Sequence, residues 1–217
     1  MEAPVRQAAG FFQDPEHYVH LTRTLAPALA RRRSSLAQKH LRGWSAGHGG
    51  GEEAYSLAMA LLETPQLSGW TVNILATGVD AGELSRAGRG EYASLEGLPP
   101  RLAGAYFMKV EAAGRSGYRV GQAARRMIQF RRFNPASGPF PFRGGLGFIF
   151  CKDVMIYLDE EAQNALVERF YGALEPGGAL YVGRWESLTG LDHRFAYAGP
   201  GIYQKPEGAA ASGPAAK

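Results

Sequence analysis

Trp44-Ser45-Ala46-Gly47-His48-Gly49-Gly50-Gly51-Glu52-Glu53 is the stretch of this chain in which residue types and spacing point most directly to chemistry. Glycines between an apolar run and a helix-like segment let a ligand come up against bare backbone. No Gly-Lys-Ser/Thr follows, which excludes the phosphate-gripping version of such a loop. Glu52 and Glu53 directly after the glycines compete with an anion for the N–H groups of the coming helix, so a pyrophosphate is disfavoured and a cation is better tolerated. Elsewhere the signals are plainer. His17, His20, His40, His48 and His193 lack the spacing of a metal site, so no metal is expected. Cys151 reads as a small buried apolar residue.

From the glycine segment alone, three occupants stay open: a dinucleotide, a nucleoside such as S-adenosylmethionine, or nothing beyond a tight turn. The sulfonium and ammonium of S-adenosylmethionine suit an acidic helix start. Glu52 and Glu53 could equally serve only the helix dipole.

These residues need elements to hold them. Leu41–Ala46 reads as a short strand, and Glu52–Glu63, with Leu57, Met59 and Leu61, as a helix. A strand at Thr71–Thr77 precedes Asp80, a helix cap for a short helix through Arg89. Further on come a strand at Phe148–Cys151, a helix near Glu160–Leu174, a Glu175-Pro176-Gly177-Gly178 turn and a strand at Ala179–Gly183. Upstream, Asp14-Pro15-Glu16 with Leu21, Leu25 and Leu29 predicts a helix over 14–33. The stretch from about 106 to 133, with a Gly114-Arg115-Ser116-Gly117 turn, predicts a β-hairpin excursion, and Phe195–Tyr197 with Ile202–Gln204 a closing hairpin. Alternating strands and helices predict an α/β domain over 11–205: a mainly parallel sheet with helices on both faces and its ligand beyond the carboxyl ends of the strands. Residues 1–10 and 206–217 are expected to be flexible.

The chain has 217 residues, 45% hydrophobic and 20% charged, which suits one sizeable domain. Its net charge of +4 is mildly basic, but the arginines are spread out. A nucleic-acid partner is permitted rather than implied, and ranks last. One cysteine allows no internal disulfide, and no run of about 18 apolar residues appears. Neither membrane insertion nor export is expected, and cytoplasm is the default.

Taken in order, several motifs resemble the catalytic domain of the CheR family. They are Phe11-Phe12-Gln13-Asp14, the Trp44 loop with Glu52-Glu53-Ala54-Tyr55-Ser56-Leu57-Ala58-Met59, Leu75-Ala76-Thr77-Gly78-Val79-Asp80, Phe150-Cys151-Lys152-Asp153-Val154-Met155-Ile156-Tyr157-Leu158, and Glu175-Pro176-Gly177-Gly178 through Glu186-Ser187-Leu188. The resemblance runs from about Phe11 to Lys205. It implies a Rossmann-like S-adenosylmethionine-dependent methyltransferase fold with seven strands, and transfer of a methyl group to glutamates of a receptor or other signalling protein. It also implies that Gly47, His48, Gly49, Gly51, Glu52, Gly78, Asn134, Asp153 and Val154 line the cofactor, with Tyr157 and Gln13 near the transferred methyl.

Several positions depart from the family pattern. Gln13 stands where an arginine is usual, His48-Gly49-Gly50-Gly51 where Cys-Ser-Thr-Gly is, and Gly78 where an aspartate grips the ribose. Lys152-Asp153 replaces Arg-Asn, Gly147 an aspartate, and Pro135 a leucine. A helical receptor-reading domain usually precedes the motif corresponding to Phe11, before which only ten residues stand here. Two functions therefore stay open: an S-adenosylmethionine-dependent carboxyl methyltransferase, and a relative that keeps the scaffold for protein binding with weak or no cofactor binding.

Overall fold

Leu146-Gly147-Phe148-Ile149-Phe150-Cys151 is buried at every position, the signature of a strand covered on both faces. In the computed structural model, which describes residues 10–33, 39–47, 49–112, 115–140, 142 and 144–208, this run is strand β7 (Leu146–Cys151) near the middle of a seven-stranded sheet. The expectations for residues 1–9 and 209–217 lie outside the described residues, as does that for His48. Phe148 and Phe150 point into one apolar cluster with Leu21, Leu25, Leu57 and Tyr181. Ile149 and Cys151 point into the other, with Trp44, Leu166, Phe170 and Leu180. Burying each such side chain contributes about 1.5–3 kcal/mol.

The remaining elements follow in chain order. Helix α1 (Pro15–His20) leads through a π-helical turn (Leu21–Leu25) into α2 (Ala26–Arg32). The predicted helix over 14–33 is thus helical throughout Pro15–Arg32 but widened in the middle. Pro27 has no N–H to donate to residue 23, and its ring would crowd that carbonyl, so the backbone opens there. Strand β1 (His40–Ala46), helix α3 (Glu52–Leu62), β2 (Thr71–Gly78) and α4 (Ala81–Arg89) come next. The Asp80 carboxylate accepts from Glu83 N at 2.7 Å and caps α4 as expected.

A small antiparallel sheet, order β3-β5-β4, combines β3 (Glu91–Tyr92), β4 (Phe107–Ala112) and β5 (Arg115–Val120), with α5 (Pro100–Tyr106) between the first two. The hairpin excursion is therefore real but shorter than 106–133. After α6 (Gln122–Arg125), strand β6 (Ile128–Arg132) returns to the main sheet and pairs in parallel with β2. Its half-buried Ile128 and Phe130 pack on the core, while Gln129, Arg131 and Arg132 face out, as an edge strand requires.

Helix α7 (Glu160–Ala173) runs into β8 (Leu174–Val182), and β9 (Ala196–Gly199) with β10 (Ile202–Gln204) forms the closing hairpin. The Glu175-Pro176-Gly177-Gly178 turn expected before the strand lies inside it. The chain passes through Gly177 at φ 76 as a bulge, where the register with β7 shifts. The main sheet has the order β6-β2-β1-β7-β8-β10-β9, parallel from β6 to β8 and antiparallel beyond. Strand order reverses between β1 and β7, and beyond the carboxyl ends of those two strands such sheets bind ligands.

Candidate active site

At that switch point β1 ends in Ala46 and the backbone turns at Gly47, whose N–H donates to Thr77 O at 3.0 Å. Gly47 has φ 106, and a Cβ on it would lie 2.3 Å from Val154 Cγ2. Glycine is required there both by conformation and by the closeness of the loop after β7. Gly51, at φ 91, precedes α3, and Gly49 and Gly50 lie between. Tyr92 from the small sheet donates to Gly50 O at 3.0 Å and fixes the turn from outside. Burial, reinforced by the Glu52 charge, raises the Tyr92 pKa, so it remains a donor.

The two glutamates that start α3 diverge. Glu52 Oε2 lies 2.2 Å from where a Gly50 Cβ would be, against the turn. Glu53 turns inward, accepting from Ser45 Oγ at 2.7 Å and standing 3.8 Å from Lys152 Nζ. Lys152, 4% exposed, is the hub of the site: it pairs with Asp14 at 3.0 Å and donates to Gln13 O at 3.1 Å. Its ammonium also lies 5.4 Å from the Phe150 ring centroid. An ammonium so deeply buried persists only with such partners.

Phe12, Asp14 and Asp153 are the non-glycine residues with positive φ among those described, and all three adjoin this hub. Aspartate tolerates that conformation and phenylalanine resists it. Phe12 is held by its N–H donating to Ser56 Oγ at 3.0 Å. Strained backbone gathered at the rim of a sheet is what a functional site displays.

Glu186, 8% exposed, ties the loop after β7 to the loop after β8. Its Oε2 accepts from Asp153 N at 3.0 Å and Gly183 N at 2.8 Å, and its Oε1 from Val154 N at 2.9 Å and Met155 N at 2.7 Å. Burial raises its pKa, against the pull of the Gly183, Met155 and Asp153 N–H groups. Burial likewise raises the Cys151 pKa, which leaves that thiol protonated and inert.

Of the residues singled out from sequence, those described lie past the carboxyl ends of β1, β2, β6 and β7, or, for Gln13, against Lys152. Gly47 and Val154 touch, Gly49, Gly51 and Glu52 continue the turn, and Asp153 follows Lys152. Gly78 ends β2 one residue beyond Thr77, and Phe133 N donates to its carbonyl at 3.0 Å. Asn134 comes next, but its Oδ1 accepts from Ala136 N at 3.0 Å, so that oxygen shapes its own loop. Gln13 is exposed, and Lys152 holds its carbonyl. Tyr157 sits in a 3-10 turn (Met155–Tyr157), 63% exposed. Sequence reasoning weighed Glu53 only as part of the acidic helix start and passed over Asp14 and Glu186 as site residues; the short spacing Gly183-x-x-Glu186 after a strand was the available signal for the last.

S-adenosylmethionine fits this donor set. The turn from Gly49 to Gly51 offers bare backbone and no Lys or Arg, and the carboxylates of Glu83 and Glu52 stand against Gly49 and Gly50, which favours a cationic nucleoside over a phosphate. At Gly78 no side chain is present to meet the ribose.

A family model described as "CheR methyltransferase, SAM binding domain" matches residues 7–202. The probable chemotaxis protein methyltransferase of Rhizobium etli is 35% identical over 183 residues, 83% of this chain and 67% of that one. Chemotaxis protein methyltransferase 2 of Pseudomonas aeruginosa is 33% identical over 197 residues, 89% and 68%. The chemotaxis protein methyltransferase of Escherichia coli is 32% identical over 195 residues, 89% and 65%. The chain spans about two thirds of the length of these relatives. With its glycine turn at the switch point of a seven-stranded sheet and a match over nearly its whole length, this chain belongs to the CheR methyltransferase family, by its S-adenosylmethionine-binding domain.

Proposed function

We propose that the chain transfers the methyl group of S-adenosylmethionine to glutamate carboxylates of a chemoreceptor or other signalling protein in the cytoplasm. The observation that carries this reading is the carboxylate-bounded glycine turn at the junction of β1 and β7. When bound, S-adenosylmethionine supplies a methyl group activated by its sulfonium. An ionised carboxylate needs no general base to accept that group, so the work left to the protein is alignment. Gly47, Gly49 and Gly51 hold the nucleoside against bare backbone, and Glu52, Asp153 and Val154 border it, with Gly78 and Asn134 at the ends of β2 and β6. Tyr157 and Gln13, both exposed at the rim, donate hydrogen bonds toward the incoming carboxylate.

The partner is assigned to the small sheet. Strand β4 is an outer strand of the order β3-β5-β4, and its exposed Met108 accompanies a free pairing edge suited to an added strand. No helix among the described residues is long and apolar enough to cross a membrane. A protein-binding module without cofactor, the alternative raised by Gln13, Gly78 and Asp153, is the weaker reading, because the turn keeps its open backbone and acidic border. The test is transfer of radiolabelled methyl to a chemoreceptor cytoplasmic fragment. Label released by mild base, as from a carboxyl ester, is expected; base-stable label or none would contradict the proposal.

A further inference from the structure

Rossmann-type sheets hold nucleoside cofactors partly through a carboxylate near the end of the second strand, which accepts hydrogen bonds from the ribose hydroxyls. Here β2 ends in Gly78, and the next acid, Asp80, is engaged as the cap of α4, accepting from Glu83 N at 2.7 Å. The chain supplies another carboxylate by a different route. Helix α4 packs directly on the glycine turn: a Cβ on Gly49 would lie 2.8 Å from Glu83 Cβ and 2.6 Å from Glu83 Oε2. One helical turn along the same face, a Cβ on Gly51 would lie 2.8 Å from Ala87 Cβ. The absence of side chains at 49 and 51 thus lets α4 approach until the Glu83 carboxylate stands over the turn. That carboxylate keeps a side-chain exposure of 33%, and Arg86 Nη2 stands 3.9 Å from its other oxygen, Oε1.

We infer that Glu83 supplies the ribose-gripping carboxylate of this chain, in place of the side chain that Gly78 lacks. The inference rests on the cofactor reading above. Two carboxylate oxygens match two vicinal hydroxyls, from which such a group accepts in pairs.

The experiment is calorimetric titration of the full chain with S-adenosylhomocysteine and with its 2′-deoxyribose analogue. The wild-type chain is expected to prefer the ribose form by about 10-fold or more, the worth of one hydrogen bond to a charged group. In Glu83→Ala and in the isosteric Glu83→Gln that preference is expected to fall toward unity, with melting temperatures near wild type. A Glu83→Ala chain that discriminates as the wild type does would overturn the inference while leaving the cofactor reading intact. A wild-type chain that binds neither ligand would overturn the cofactor reading itself, and this inference with it.

Discussion

Replacing Glu186 by glutamine removes a charge and one acceptor oxygen from a carboxylate that receives four backbone N–H groups, from Asp153, Val154, Met155 and Gly183. The two donors on the retained oxygen keep bonds of ordinary strength. The other two meet an amide NH2, which cannot accept. Hydrogen bonds to a charged group are worth about 1.5–3 kcal/mol each, so the gross loss is about 3–6 kcal/mol. Part returns, because burial that raised the glutamate pKa no longer opposes a charge. A net loss of about 2–4 kcal/mol is expected, a large share of the roughly 5–15 kcal/mol that holds a domain folded. Urea unfolding of the two proteins at pH 7.5 measures it. Affinity for S-adenosylhomocysteine should fall as well, since Val154 leans on Gly47. A Glu186→Gln chain within about 0.5 kcal/mol of wild type would refute the claim that this carboxylate clamps the two loops.

Lys152→Met leaves Asp14 and Glu53 without their buried cation, and urea unfolding should show a loss of about 3–5 kcal/mol. Gly47→Ala forces a side chain into left-handed backbone and against Val154, so it should lose about 2 kcal/mol or more and bind cofactor poorly. Adding Val154→Ala should recover only the part due to the clash, as read by melting temperature. Burial first, and then Lys152, lowers the His17 pKa below 6.5, and burial lowers that of His20. The unfolded chain therefore binds more protons, and stability present above about pH 6.5 is lost as the pH falls through the depressed folded values. Melting temperature should drop between pH 7.5 and 5.5, and the drop should shrink in His17→Gln/His20→Gln; a rise on acidification would contradict the assignment.

Elements with continuous apolar runs or strong punctuation were legible in the sequence. Phe148–Cys151, the glycine turn between β1 and α3, and the Asp80 cap are cases where local chemistry alone decides the structure. Strand β6 was not, because Ile128-Gln129-Phe130-Arg131-Arg132 carries two exposed arginines and takes its place only by pairing with β2. The Pro-Gly-Gly segment at 176–178 looked like a turn, yet pairing with β7 holds it as a bulged strand. In the site, the glycines announced themselves. The Lys152 hub did not, since it joins residues 139 positions apart, and neither spacing nor composition records such a contact.

The central claim is that the glycine turn beyond β1 binds S-adenosylmethionine. Calorimetric titration of the unmodified chain with S-adenosylmethionine and S-adenosylhomocysteine tests it most directly. Saturable one-site heat with both ligands is the expected result, and no heat at millimolar ligand would contradict it.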